Sequence, residues 1–310
     1  MTRVAQLDPT LSVRVAATRT LVYDRPADPE EDRPEHVRSA SGLAMQGSRL
    51  IVIQDDASFL AVVTPSGVSA VKLPRGLHGR RRFEVSLGNK LDKLDLESCV
   101  AIDDELWAFG SGSLPIRDKI CIVQHGVPRV REATPLFDRI RDLLGSGVNI
   151  EGAARVRDEL WLFHRGNTGI DDHGPAVIRL PLAPMRTWLA AEGALPAIST
   201  IDGYDLGEIE GVRLGFTDAI AEGDHVFYVA TAEITSNAID DGKVVGSQLG
   251  VIANGVVRAA PLTAPDGSPV KAEGIVLDRK RPGHAWVALD CDDPDQPALL
   301  YDVELVGPWM

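Results

Sequence analysis

Hydrophobic and polar positions alternate along this chain in short runs, and Gly, Asn, Asp and Pro separate one run from the next. Alternation with a period of two marks β-strands that turn one face to a core. It is clearest at Leu106–Phe109 (LWAF) and Leu160–Phe163 (LWLF), where Trp107 shares a face with Phe109 and Trp161 with Phe163. These aromatic rings are expected to pack between neighbouring sheets. Two stretches change to a helical period. TPLFDRIRDLLG places Thr134 as N-cap, Pro135 at the first helical position and Gly145 past the end. APMRTWLAAEG has a similar outline and is closed by Gly193. The chain therefore reads as all-β with short helical insertions, each expected after the third strand of its unit.

The runs also repeat. Five segments align: SGLAMQGSRLIVIQDD from Ser41, ESCVAIDDELWAFGSGS from Glu97, EGAARVRDELWLFHRGN from Glu151, DAIAEGDHVFYVATAE from Asp218 and EGIVLDRKRPGHAWVALDCDD from Glu273. Each opens on a polar residue, passes through an apolar run, turns, and returns in an alternating strand. A large apolar residue stands ten positions after the opener at Ile51, Trp107, Trp161 and Tyr228, and three extra turn residues shift it to Trp286 in the last segment. The openers are 56, 54, 67 and 55 residues apart. That period, with several strands per unit, is the period of four-stranded propeller blades. The expected architecture is a single β-propeller domain over residues 1–310, with five blades, or six if the long third unit holds another. The last unit stops one strand short after ALLYDVEL, while LSVRVAATRTLVYD near the N-terminus has strand character. Pairing the two would close the ring and remove a free edge. Residues 25–36 (RPADPEEDRPEH) read as an exposed loop.

In a propeller the first strand of each blade lies innermost and the second returns beside it, so strand-one starts and strand-two ends meet at one face. The openers would converge there, and Glu97, Glu151, Asp218 and Glu273 are carboxylates. Like charges brought together need a cation or protons. Oxygen donors without His or Cys suit a hard ion, so these four are the expected metal ligands and Ca²⁺ the expected ion, with another divalent cation as the alternative. The competing reading is that each carboxylate caps backbone amides or bridges to the next blade. Ser41 departs from the acidic pattern. The strand-two ends are polar as well: Asp55 and Asp56, SGSLPIRD from Ser111, RGN from Arg165, Glu233, and Asp290 with Asp292 and Asp293. The loop IDDGKVVGS, residues 239–247, follows the fourth. Arg117 and Arg165 stand among these acids either as ion-pair partners or as a clamp for an anion.

Charge narrows the partners. The net charge of −13 argues against nucleic acid or an anionic membrane, both of which require Lys and Arg opposite phosphate. No stretch reaches the length of a membrane span, and MTRVAQLDPTLSVRV has no apolar leader region. Cys99, Cys121 and Cys291 form neither a metal spacing nor a disulfide framework, which points to a reducing, cytoplasmic setting. There is no HExxH helix, GxSxG elbow, P-loop or dinucleotide fingerprint. His164 lies in a strand and reads as a packed residue.

The openers EG, ES and DA, each with a polar strand-two end, resemble the calcium-binding propellers that include phytase-like and esterase-like proteins, the soluble calcium-activated apyrases and, more distantly, the gluconolactonase group. SASGLA, FGSGSLPIRD, NIEGA, FHRGN and FTDA also look like a bacterial propeller family of unknown function. The resemblance covers residues 39 to 306 and implies that Glu97, Glu151, Asp218 and Glu273 match channel-facing metal positions. Two functions are expected from these features. One is a metal-dependent hydrolase of a small anionic or ester substrate (phosphoester, ester or lactone), with Glu151 as general base and Arg117 and Arg165 balancing developing charge. The other is a non-catalytic propeller with a structural metal whose face binds a ligand or a protein. The oligomeric state stays open.

Overall fold

Short alternating runs joined by tight turns fold locally into meanders, and the turns here are built on residues in left-handed conformations. Gly47 (φ 63°) joins the first two strands of unit one, and Asp103 (φ 56°) does so in unit two. The computed structural model describes residues 2–191, 193–235, 237 and 242–310. Strands β1 (Arg3–Leu7) and β2 (Ser12–Thr20) precede the first unit. Unit one is β3 (Ala40–Gln46), β4 (Arg49–Gln54), β5 (Phe59–Thr64) and β6 (Gly67–Lys72). Unit two is β7 (Leu96–Ile102), β8 (Glu105–Gly110), β9 (Lys119–Gln124) and β10 (Val127–Glu132), followed by helix α1 (Thr134–Leu144). Unit three is β11 (Ile150–Val156), β12 (Glu159–His164) and β13 (Ala176–Pro181), then helix α2 (Leu182–Ala190) and β14 (Thr200–Asp205). The short β15 (Glu208–Ile209) leads into unit four: β16 (Val212–Glu222), β17 (His225–Ile234), β18 (Lys243–Ala253) and β19 (Val256–Leu262). Unit five is β20 (Lys271–Leu277), β21 (His284–Asp290) and β22 (Leu299–Val306).

The protein is all-β, with three four-stranded sheets and one curled ten-stranded sheet. Units one and two are four-stranded meanders. Unit five takes its fourth strand from the other end of the chain. β2 pairs antiparallel with β22, from Ser12 opposite Val306 to Thr20 opposite Leu299. The ten-stranded sheet joins units three and four through β1, which runs parallel to β14 on one side and to β19 on the other. That join was not expected from the sequence. The innermost strands pack in chain order, β3 on β7, β7 on β11, β11 on β16 and β16 on β20, and β20 packs back on β3.

The core lies between units. Trp107 and Phe109 pack with Leu160 and Ile178 of unit three, and Phe163 meets Phe216 of unit four edge-on at 5.2 Å. Such a pair adds about 0.5–1.5 kcal/mol beyond its area. Helix α1 follows the fourth strand of its unit, not the third, and inserts Leu136, Phe137 and Ile140 into the cluster between units two and three. Thr134 is its first residue; Ala133 holds the N-cap position, and no side chain caps it. Gly145 ends it in the left-handed conformation (φ 68°), as expected. Helix α2 does follow a third strand, but it ends at Ala191 in extended backbone, before Gly193. Among the described residues no helix is long and apolar enough to cross a membrane.

Candidate functional site

Every innermost strand carries a β-bulge near its start. In β3 the pairing skips from Ala40 to Gly42, in β7 from Leu96 to Ser98, and in β11 from Ile150 to Gly152. In β16 it skips from Phe216 to Asp218, and in β20 from Ala272 to Gly274. The extra residues are Ser41, Glu97, Glu151, Thr217 and Glu273. A bulge re-aims one side chain out of the alternation, and four of these five are the expected openers. In unit four the position belongs to Thr217, so the sequence alignment was displaced there by one residue. The corrected register is regular. Fourteen residues beyond each opener stand Asp55, Ser111, Arg165 and Thr231 at the strand-two ends, and three extra residues bring unit five to Asp290.

The bulged Glu97, Glu151 and Glu273 line a cavity of about 500 Å³ together with Arg117 and Arg165. Asp218 is not among its lining residues. It is fully buried and accepts hydrogen bonds from the backbone N–H groups of Ala219 (2.8 Å), Ile275 (2.9 Å) and Leu43 (3.3 Å). Burial pushes its carboxyl well above the usual range against those three donors. Thr217 donates to the carbonyl of Ala272 at 2.5 Å. Ser41 donates to the carbonyl of Ser39 at 3.0 Å. Of the loop 239–247, residues 239–241 lie outside the described residues, and from Lys243 onward the segment is strand β18.

The charges of the cavity fall into two groups. In the first, the buried Lys93 ammonium contacts Asp55, lies 2.9 Å from Asp95 and 3.5 Å from Asp56. Asp95 is further held by Arg117 at 3.0 Å and by the Ser111 hydroxyl. Burial works against the Asp95 charge, but Lys93 and Arg117 bring its pKa below the ordinary value. Asp55 goes the other way: burial first, then the neighbouring Asp56, push it up to about 8. Burial and the charges of Asp55 and Asp95 also push Glu97 up. Oxygens of Asp55, Asp95 and Glu97 all lie within 4.8 Å of one another.

In the second group Arg165 spans two carboxylates, Glu151 at 2.8 Å and Glu233 at 2.6 Å. Glu151 also accepts from the Asn149 amide at 2.6 Å. Lys271 lies 2.5 Å from Asp292, 3.7 Å from Asp290, 3.8 Å from Glu273 and 4.0 Å from Glu233. Burial raises Glu151 and Glu273, and raises Asp290 to about 6. Arg165 is thus an ion-pair partner on both arms of its fork. His164 is buried, and its Nδ1 accepts from the backbone N–H of Asn149 at 3.0 Å; burial lowers its pKa to about 4. Cys99 and Cys121 are buried, and burial raises both thiols.

The strand-two residues expected at this face are there: Asp55, Asp56, Arg117, Arg165, Asn167, Glu233, Asp290, Asp292 and Asp293 all line the cavity. The sequence reading missed Lys93, Asp95 and Lys271. Their signal was position, since each stands two to four residues before an opener.

A family model described as a family of unknown function (DUF6929) matches residues 36–305, and the chain belongs to that family. No curated protein matches the chain. Among solved structures, a mannose phosphorylase from Leishmania mexicana is 14% identical with a TM-score of 0.48; the match covers 96% of this chain and 93% of that one. A GH43 β-1,3-galactosidase is 7% identical with a TM-score of 0.47, over 93% of this chain and 60% of that one. A streptogramin B lyase is 13% identical with a TM-score of 0.37, over 91% and 68%.

Proposed function

For this member of DUF6929 we propose a five-bladed propeller, one domain over residues 1–310, whose central cavity binds a divalent cation at Asp55, Asp95 and Glu97. The blade count is supported by the β2–β22 pairing and by the return packing of β20 on β3. The cation reading rests on one observation. Three carboxylates whose oxygens lie within 4.8 Å of one another exceed by one the cations, Lys93 and Arg117, that pair with them. Among the described residues the buried Oδ1 of Asp55 has no hydrogen-bond partner, and Glu97 lies within the field of Lys93. Hard oxygen donors without imidazole or thiolate suit Ca²⁺. Glu151 and Glu273 belong in this proposal to the Arg165–Lys271 network that frames the ion.

Calorimetric titration of chelator-treated protein tests the proposal. Ca²⁺, Mg²⁺ or Mn²⁺ is expected to bind and to raise the melting temperature by mass action, and Glu97→Gln is expected to abolish most of the response. No binding of any of the three ions at millimolar concentration would overturn it.

A second reading, hydrolysis, is favoured by the contrast between Asp55, raised to about 8, and Asp95, held below its ordinary value. Two neighbouring carboxyls whose environments push them apart are suited to separate proton-transfer roles. In this reading the cation polarises an ester, phosphoester or lactone oxygen; Glu151, the base expected from the sequence, is engaged by Arg165 and Asn149. Calcium-dependent turnover of such substrates that is lost in Asp55→Asn supports it. Absence of turnover on all three classes favours a binding function.

A further inference from the structure

Arg117 carries donors that the protein does not use. It ends the 3-10 turn Pro115–Arg117 that follows β8, is 2% exposed, and lines the cavity beside Asp95. Its Nη1 is occupied, donating to the Ser113 hydroxyl at 2.7 Å and pairing with Asp95 at 3.0 Å. Its Nε and Nη2 are buried and have no acceptor. These two nitrogens form one edge of the planar guanidinium, the side-on fork that matches two oxygens of a carboxylate or phosphate. A buried donor without an acceptor is destabilising, so an arginine kept buried with one whole edge unmet is poised for an acceptor from outside the chain. Arg165 offers no such edge, since both its arms hold carboxylates.

The surrounding charge sets the order in which ligands arrive. Within this group Asp55, Asp56 and Asp95 pair with Lys93 and Arg117, and Glu97 lies beside them. With these carboxyls ionised, an oxyanion approaching them meets more negative than positive charge. A divalent ion bound by the carboxylates cancels that excess and leaves the Arg117 edge as an unmet donor beside the ion; Arg38, whose Nε and Nη2 also lack hydrogen bonds, is ion-paired with Glu84 at 3.0 Å.

We infer that the ligand of this cavity bears a small oxyanion, received side-on by Nε and Nη2 of Arg117 after a divalent cation has bound. The inference rests on the cation site proposed above and adds the chemical class of its ligand. The oxyanion belongs to a planar carboxylate or to a tetrahedral phosphate, and acetate and inorganic sulfate probe the two shapes.

Titrating each probe into intact protein, with and without saturating Ca²⁺, tests the inference. One probe is expected to bind only in the presence of the ion. Arg117→Lys, which keeps the charge and removes the fork, is expected to weaken that binding about 10- to 100-fold in protein saturated with Ca²⁺. The Nε–H resonance of Arg117 in the unsubstituted protein gives a reading that does not depend on a variant folding: it should shift on adding the probe to the Ca²⁺ form. Ca²⁺ binding without binding of either probe overturns this inference and leaves the cation site standing. No binding of Ca²⁺, Mg²⁺ or Mn²⁺ to the unsubstituted protein overturns both. Binding of a probe without Ca²⁺, or an unmoved Nε–H signal during probe binding, overturns the inference alone.

Discussion

The carboxylate of Asp218 in unit four accepts a hydrogen bond from the backbone N–H of Ile275 in unit five at 2.9 Å, and the same oxygen accepts from Leu43 of unit one at 3.3 Å. Its other oxygen accepts from Ala219 in its own strand at 2.8 Å. One side chain thus satisfies amides of three innermost strands while itself closed to solvent. At the cavity Asp55, Asp95, Glu151 and Glu273 are paired with side-chain cations; Asp218 is paired with backbone. Asp218→Ala is expected to destabilise the fold by about 3 kcal/mol or more, since each buried amide left without an acceptor costs about 1–3 kcal/mol. The melting-temperature response to Ca²⁺ should survive in the same variant. A loss of that response with little loss of stability would make Asp218 a ligand instead of a fastener.

The two N-terminal strands should differ in what their removal does. β2 supplies the fourth strand of unit five, so without it β22 has a free edge. β1 joins two sheets that already have their own strands. Deleting residues 1–24 is expected to abolish cooperative unfolding or to cause aggregation. Deleting residues 1–7 is expected to lower stability and keep a single transition. Denaturant unfolding followed by circular dichroism separates the cases, and a 1–24 deletion that unfolds like the intact chain would refute the role of β2.

The sequence carried the repeat because each unit places the same residue types at the same offsets, and the carboxylates Glu97, Glu151 and Glu273 were legible on that grid. Asp218 was misplaced because Thr217 and Asp218 are adjacent and both polar. Only the bulge decides which of them leaves the alternation, and a bulge is a property of the pairing, not of one strand. The fixed fourteen-residue step to Thr231 would have shown it. Lys93 and Lys271 were missed because they stand at different offsets, four and two residues before their openers, and so share no position on the repeat grid; the residues at those offsets before Thr217 are Arg213 and Gly215. β1 was missed because its parallel partners, Tyr204 and Ala259 among them, lie some two hundred residues away and nothing in RVAQL itself announces them.

Two buried groups should give opposing pH dependences. Asp290 is raised by burial from 3.8 to about 6, so the folded protein holds its proton more tightly. The stability this confers is present below about pH 4 and is lost as pH rises through 6. His164 is lowered by burial from 6.5 to about 4. Its contribution is present above pH 6.5 and is lost as pH falls towards 4. Between these limits the two effects offset each other. Urea unfolding across pH 4.5–7.5 is therefore expected to show Asp290→Asn gaining about 2 kcal/mol relative to the unsubstituted protein as pH rises. His164→Gln should move in the opposite direction across the same window. Parallel pH profiles for the protein and both variants would overturn these assignments.

Arg165 should behave as structure before it behaves as chemistry. Its Nη1 holds Glu151 at 2.8 Å and its Nη2 holds Glu233 at 2.6 Å, each carboxylate nine-tenths or more buried. Glu233 in turn accepts from the backbone N–H of Gly242 at 2.6 Å, so the bridge reaches from unit three to the connection between β17 and β18. Removing one partner from a buried ion pair costs about 3–5 kcal/mol, because a charge is left without compensation. Arg165→Ala is expected to lose that much in denaturant unfolding. Arg165→Lys keeps one charge but cannot span both carboxylates, so it should lose less, and raising the pH should widen the deficit as the unpaired glutamate ionises. If Arg165→Lys unfolds at the same denaturant midpoint as the unsubstituted protein, the two-armed bridge contributes nothing to stability, and an anion-binding role for this arginine becomes the better account.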